Sequence, residues 1–368
     1  MASKRTATTP PDPIPDPTTL PVPTQPPTRP KVTASDVAKA LGVSPATISN
    51  AFNRPDQLSV TLRTEIISRS RELGYFGPDP AARALRRRDE VREVAVVYHH
   101  GLEFALSDPI SLDFLRGVSH ELDQRALSLQ LIPKLGRDLQ LAAAFQTTAD
   151  ALIVHAEIGP NLVPEVVAAR KPLVLVDTVV EGVPAIGIED RNGAEQAMAY
   201  ALSKQPDRVL AVCFTLNGQQ RRHAMASGRK VQPRSTSVAI ERRIGYVQAA
   251  RRMGRPIDTI DWIEVDDTRP EFSAQALAAL RPSLPSGSRL AIVAMTDRMA
   301  LAALAEVRQW QDMVLAAAVG FDDIPAAHAA GLTTVRQDAH RKGVLAVQAL
   351  LDGLRPSLLG VELVVRDT

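Results

Sequence analysis

From Glu93 onward, short runs rich in β-branched residues alternate with amphipathic segments, and this alternation constrains the fold more than any other feature. Candidate strands are Val94–Tyr98, Ser128–Ile132, Ala151–His155, Leu173–Val176, Ala185–Ile188, Val209–Phe214, Trp262–Val265, Leu290–Ala294 and Leu315–Val319. Between them lie helical stretches at Leu112–Arg125, Gly193–Ser203, Arg242–Met253, Glu271–Leu280 and Arg298–Trp310. Strands buried on both faces read as continuous apolar runs that crossover helices must cover. The pattern predicts a doubly wound α/β architecture, and this much sequence suggests two such lobes. Ligands of such folds sit at the carboxyl ends of the strands, in the crevice between lobes.

Length agrees with more than one unit, since 368 residues at roughly 150 per domain give two or three. No charge-free run reaches the length of a membrane span, and no apolar stretch follows Lys4 and Arg5, so neither a transmembrane helix nor a secretory signal is expected. The expected location is cytoplasmic. Cys213 is the single cysteine, which excludes an intrachain disulfide and any cysteine-based metal cluster; its apolar strand context makes it a core residue. His99 and His100 are adjacent, so their side chains diverge, and no third ligand is spaced to join them. No Walker loop, GxSxG or HExxH is present. Neither an enzyme nor a cofactor or metal is expected.

The net charge of +2 is unevenly divided. Residues 1–30 carry +1, residues 31–88 set ten basic side chains against five acidic ones for +5, and the remaining 280 residues therefore carry −4. A small basic module precedes a mildly acidic body, which points to a polyanionic partner for the module alone. A basic solvated face is the plain alternative. Residues 1–30 also hold ten of the 28 prolines, and such a composition predicts a disordered Pro/Thr-rich tail.

From Thr33 the pattern turns helical. Thr33 and Asp36 form a capping box, Val37, Ala38 and Leu41 share one face, and Gly42 ends the turn. Ser44 is a good N-cap for a second helix with Pro45 in its first position and Ile48 facing the core. A third helix follows Ser59, with Leu62, Ile66, Ile67 and Leu73 apolar and Arg63, Arg69 and Arg71 exposed. This is the layout of a helix-turn-helix unit, a small helical cap being the alternative. The second helix presents Ser44, Pro45, Ala46, Thr47, Ser49 and Asn50, a small polar surface that can enter a major groove. Ser44, Thr47 and Ser49 suit phosphates, Ala46 a thymine methyl and Asn50 an adenine edge. Downstream, Asp79-Pro80 can start a short helix through Ala82, Arg83 and Leu85 to Arg88, with Leu85 as an apolar wedge for a minor groove. Too short to be stable alone, it reads as a segment that folds on binding, or as a charged linker helix.

These residues resemble the LacI/GalR family of bacterial transcriptional repressors. The resemblance is carried by the run Thr33–Asn50, then Asn53, Leu58-Ser59, Arg63 and Leu73-Gly74-Tyr75 for the headpiece, and Ala82–Leu85 for the hinge helix. In the body it is carried by Pro172–Asp177, Arg242–Tyr246, Ala294–Leu301, Val319–Asp323 and Leu332–Asp338. It implies a helix-turn-helix headpiece over 31–76, a hinge helix and linker over 77–92, and a two-lobed, periplasmic-binding-protein-like effector and dimerisation domain over 93–368. Lobe 1 is expected at about 93–188 and 339–354, lobe 2 at about 189–337 and 355–368. It further implies a homodimer on a pseudo-palindromic operator, DNA contacts from Thr33, Asn53, Arg63, Ala82 and Arg83 beside those above, no membrane association, and a small sugar-like effector in the inter-lobe cleft. Asn50 stands where the family often has a longer polar residue, and Thr296 where sugar-responsive members often have Asn.

In the cleft, Asp177 and Asp322 follow strands and can accept bonds from hydroxyls, Arg242 can hold a hydroxyl pair or an anion through its fork of donors or else form a surface salt bridge, and Phe321 or Tyr98 can give an apolar face. For Asp322 and, more so, Asp323 a helix cap or a turn after Gly320 is the alternative. The segment Gln219–Ser237 is basic without a core pattern and is expected to be a mobile surface insertion, a second phosphate-contacting loop being the alternative. A sugar-binding sensor of the same α/β class that does not bind DNA is the competing reading.

Overall fold

The computed structural model describes residues 32–53, 57–73, 75, 91–98, 101–132, 147–159, 162–169, 171–217, 235–354 and 358–368. The side chains of residues 53, 235 and 236 are outside that set, as are the tail, the predicted hinge residues Ala82, Arg83 and Leu85, the pair His99 and His100, and most of 219–237. The chain divides into two units, Met1–Arg88 and Asp89–Thr368.

In the first unit, α1 (Ala34–Leu41) opens on the predicted capping box, with Thr33 Oγ1 bonding Asp36 Oδ2 at 2.6 Å and the Thr33 amide bonding the same carboxylate at 2.9 Å. Gly42 closes the helix in the left-handed conformation, φ 66°. The Thr47 amide donates to Ser44 Oγ at 3.0 Å at the start of α2 (Pro45–Asn53), and Ser59 caps α3 (Val60–Glu72). Val37, Ala38, Ile48, Ala51, Ile66 and Tyr75 form the core. Leu62 and Leu73, expected on the apolar face of α3, are instead exposed at the two ends of that helix, while Ser70 is buried because its hydroxyl bonds the Ile66 carbonyl at 2.6 Å. A buried hydroxyl satisfied within its own helix does not spoil an apolar face.

The second unit contains two six-stranded sheets. The first has the order β13-β6-β4-β3-β1-β2, built from β1 (Glu93–Tyr98), β2 (Ser128–Ile132), β3 (Ala151–His155), β4 (Leu173–Val176), β6 (Ala185–Ile188) and β13 (Leu358–Leu359). The second has the order β14-β12-β11-β10-β7-β9, from β7 (Arg208–Phe214), β9 (Ile260–Val265), β10 (Arg289–Ala294), β11 (Val314–Asp322), β12 (Thr333–Arg336) and β14 (Glu362–Val364). Within these two sheets, all pairs are parallel except β12 with β14. All nine expected strands form. Along β1, Val94, Val96 and Tyr98 enter one core and Ala95 and Val97 the other, the period-two pattern of a sheet covered on both faces.

The helices of this unit are α4 (Leu102–Ser107), α5 (Pro109–Gln124), α6 (Val163–Val167), α7 (Asp190–Ser203), α8 (Val238–Arg252), α9 (Pro270–Leu280), α10 (Asp297–Val307), α11 (Pro325–Ala329) and α12 (Ala339–Asp352). The backbones of α5 and α12 nearly touch: a Cβ at Gly343 would stand 2.2 Å from the Phe114 carbonyl oxygen. Ala339, Ala346 and Val347 of α12 join the core of the first sheet.

Two expectations need correction. Residues 355–368 do not all join lobe 2, because Leu358 and Leu359 pair with Gly187 and Ile188 at the edge of the first sheet before the chain crosses to β14. The segment 219–237 is not irregular at its end: β8 (Ser235–Ser237) pairs antiparallel with β5 (Thr178–Val180), and Ser237 is buried. Both strands are too short to show a hydrophobic period.

Candidate functional site

Two surfaces carry the chemistry. On the first unit, Ser44, Pro45 and Ala46 are exposed, and Thr47, Ser49 and Asn50 are half-buried along α2. Asn50 Nδ2 donates to Gln57 Oε1 at 3.1 Å, which orients its amide. Arg63 is less free than expected: its Nε donates to the Ala51 carbonyl at 3.1 Å, satisfying the last turn of α2. Thr33 serves α1 as its cap. The side chain of Asn53 and residues Ala82, Arg83 and Leu85 lie outside the described residues.

On the second unit, the carboxyl ends of both sheets face one cleft of about 340 Å³. Its lining includes Tyr98 at the end of β1, His155 at the end of β3, Asp177 after β4, Phe214 and Val265 at the ends of β7 and β9, Thr296 after β10 and Asp322 at the end of β11. The four expected ligand residues, Asp177, Arg242, Thr296 and Asp322, all line it. Phe321 does not: it is fully buried beneath the Arg242 guanidinium, whose carbon lies 3.5 Å from the ring centroid. Side chains alternate along a strand, so the neighbour of a cleft residue points into the core.

Each side chain is held by an identifiable local cause. Asp177 (φ 59°) and Asp322 (φ 124°) have left the strand conformation, which turns both carboxylates into the cleft at a cost in backbone strain. Thr296 caps α10, its hydroxyl accepting from the Met299 amide at 3.2 Å. The donors of Arg242 are largely committed inside the protein, Nε to Asp190 Oδ1 at 2.7 Å and Nη1 to the Met295 carbonyl, with Asp322 Oδ1 3.9 Å away. Arg242 therefore shapes the cleft floor more than it offers a free fork. Behind Asp322, Asp297 accepts from the Ile324 amide at 2.9 Å and from Thr334 Oγ1 at 2.5 Å. Only glycine at 320 admits that carboxylate, since a Cβ there would stand 2.1 Å from Asp297 Oδ1.

Several cleft residues escaped sequence reasoning. Lys342 of α12 is buried, with Nζ donating to Asp177 Oδ2 at 2.7 Å and to Gln337 Oε1 at 3.2 Å. Gln337 Nε2 in turn donates to Asp322 Oδ1 at 2.6 Å. His155 Nε2 lies 3.1 Å from Asp177 Oδ2. A hydrogen-bonded chain thus joins the carboxylate of one sheet to that of the other through the crossover before α12. The signal for Lys342 was its place on the apolar stripe of Ala339, Gly343 and Ala346.

The electrostatics of the carboxylates differ. Burial opposes ionisation of Asp177, but the Lys342 ammonium and the bonds from His155 and Lys342 hold its pKa well below the usual carboxylate range. Burial raises Asp322 well above that range despite Arg242, helped by the nearby Asp297 carboxylate. Burial also pushes Asp190 up to about 6 against the pull of Arg242, and Asp297 up to about 7 against its hydrogen bonds. Cys213 is a core residue as expected, its thiol pushed up to about 12 by burial. Among the described residues no helix is long and apolar enough to cross a membrane, and no group of three potential metal ligands is present.

A periplasmic binding protein-like domain family matches residues 215–368. The regulator IpsA of Corynebacterium glutamicum is 28% identical over 330 residues, 87% of this chain and 90% of that protein. The lac repressor dimer bound to operator and an anti-inducer has the same fold, with a TM-score of 0.69 at 21% identity over 92% of this chain and 98% of that one. An HTH-type transcriptional regulator of Mycobacterium tuberculosis is 32% identical over 350 residues, 92% of this chain and 95% of that protein. With similarity of that degree running through headpiece and body alike, the chain belongs to the LacI/GalR family of helix-turn-helix transcriptional regulators.

Proposed function

We propose that this regulator is a repressor whose affinity for a pseudo-palindromic operator is set by a small sugar-like effector in the cleft. The observation that carries this reading is the cleft itself, where polar side chains from the strand ends of two sheets converge around a space of small-molecule size. Asp177 and Lys342 from one lobe and Asp322, Thr296 and Arg242 from the other are the effector-facing groups. An effector touching both lobes binds best to one relative arrangement of them and so biases the molecule toward it. In a homodimer, Ser44, Ala46, Thr47, Ser49 and Asn50 of each copy of α2 read one half-site of the operator.

Selection of bound DNA from a random pool tests this reading. It predicts a recovered palindrome, affinity falling steeply with salt, and a shift in affinity when effector is added. Recovery of no preferred sequence contradicts it. Removing residues 1–90 separates it from a sensor that does not bind DNA: effector binding survives in both cases, but only a repressor loses an operator.

A further inference from the structure

The cleft's two cations already have partners. Arg242 is bonded to Asp190 and to the Met295 carbonyl, and Lys342 to Asp177 and Gln337. Arg298, behind the lining, lies 3.5 Å from Asp108 and over the Phe104 ring. Against these stand the lining carboxylates Asp108, Glu157, Asp177, Asp266, Asp267 and Asp322, of which Asp267 is held by Arg269 at 3.0 Å and Asp108 accepts from the Ser111 amide and hydroxyl. An incoming anion would therefore meet carboxylates, while Arg242 and Lys342 already serve carboxylates of the protein, the costly arrangement for a buried charge.

Three neutral hydroxyls in the same cleft have the opposite character. Tyr98 Oη, Ser237 Oγ and Thr268 Oγ1 are each buried without a hydrogen-bond partner, as is Asp177 Oδ1, and all four residues line the cavity. Tyr98, Ser237 and Thr268 are 3%, 6% and 8% exposed, so their hydroxyls are also shut off from bulk water. An unpaired buried hydroxyl costs stability in the empty protein and is satisfied when a ligand supplies the missing bond. Tyr98 and Asp177 flank the first sheet, and Ser237 and Thr268 belong to segments of the second lobe, so one ligand can bond to both sides. Phe104, Ile110, Phe214 and Val265 give the cleft apolar walls for a carbon skeleton.

Building on the effector reading above, we propose that the cleft selects an uncharged polyhydroxylated molecule over its phosphorylated counterpart, with Tyr98, Ser237 and Thr268 as specificity-determining contacts. The test is calorimetric titration of the full chain with neutral aldoses, disaccharides, cyclitols and nucleosides, each paired with its monophosphate ester. The expected result is binding of a neutral member, with its ester at least about tenfold weaker, a difference of about 1.4 kcal/mol. Tyr98→Phe and Thr268→Val should each weaken that neutral member by about tenfold while raising the melting temperature of the ligand-free protein, because each removes a lone buried hydroxyl. A merely structural role moves stability the other way. An ester binding as tightly as its neutral partner overturns the charge selection and leaves the effector reading standing. Silence of every compound in both arms overturns the effector reading and the selection with it. Unchanged affinity for the neutral member in both variants overturns the assignment of these hydroxyls.

Discussion

Asp177 and Asp322 occupy equivalent places, each at the carboxyl end of a central strand, each with a positive φ, each facing the same cleft. Their charges nevertheless diverge. Asp177 has an ammonium bonded to it at 2.7 Å, whereas Asp322 is 3.9 Å from a guanidinium that bonds Asp190 first and has Asp297 behind it. A cation stabilises the carboxylate it touches; one already engaged elsewhere does not overcome burial. The effector therefore meets a charged acceptor on one lobe and a carboxyl held toward its neutral, proton-donating form on the other.

The strongest way to break this contrast is Lys342→Met. Leaving the Asp177 carboxylate buried and unpaired should cost about 3–5 kcal/mol of folding stability in urea titration. A loss below about 1 kcal/mol would mean that Lys342 does not hold Asp177 ionised. Next comes the isosteric pair: Asp177→Asn should cost about 2 kcal/mol by stranding Lys342, while Asp322→Asn should cost under about 1 kcal/mol because burial already disfavours the native charge. Equal losses would erase the distinction.

A further effect is in pH dependence, and its sign follows from which state binds more protons. Asp190 and Asp297 have folded values near 6 and 7 against 3.8 unfolded, so the folded protein holds extra protons between these limits. Stability contributed by these groups should fall as pH rises from about 4 to about 7 and then level off. Asp297→Asn should flatten the upper part of that slope in melting curves recorded across the range. Asp177 behaves oppositely: its contribution is present above 3.8 and is lost only as pH falls below it.

Much of this was legible in the residues. The β-branched runs placed every expected strand, and Thr33, Asp36, Ser44 and Ser59 marked the helix starts because capping is local chemistry. Asp177, Thr296 and Asp322 could be placed because they follow strands directly. Lys342 and Gln337 could not, since their roles depend on the chain crossing between lobes, a long-range event that no local pattern encodes. Arg242 was legible as a cleft residue or a salt-bridge former, but its partner was not, because Asp190 is 52 positions away. The strands β5, β8 and β13 span three residues or fewer, too short for periodicity to register.

The crossing at 358–364 has a consequence for how the molecule is made. β13 completes the edge of one sheet and β14 the edge of the other, and Thr368 then bonds back to the Thr333 amide at 2.9 Å and the Ala318 carbonyl at 2.7 Å. Neither lobe is complete until this stretch has left the ribosome. Synthesis proceeds at roughly 5–20 residues per second, so each sheet, still lacking one edge strand of six, waits with that edge unpaired until residues 358–364 emerge, and nascent chains stalled just short of residue 358 should be held by chaperones longer than those stalled after β14 has emerged.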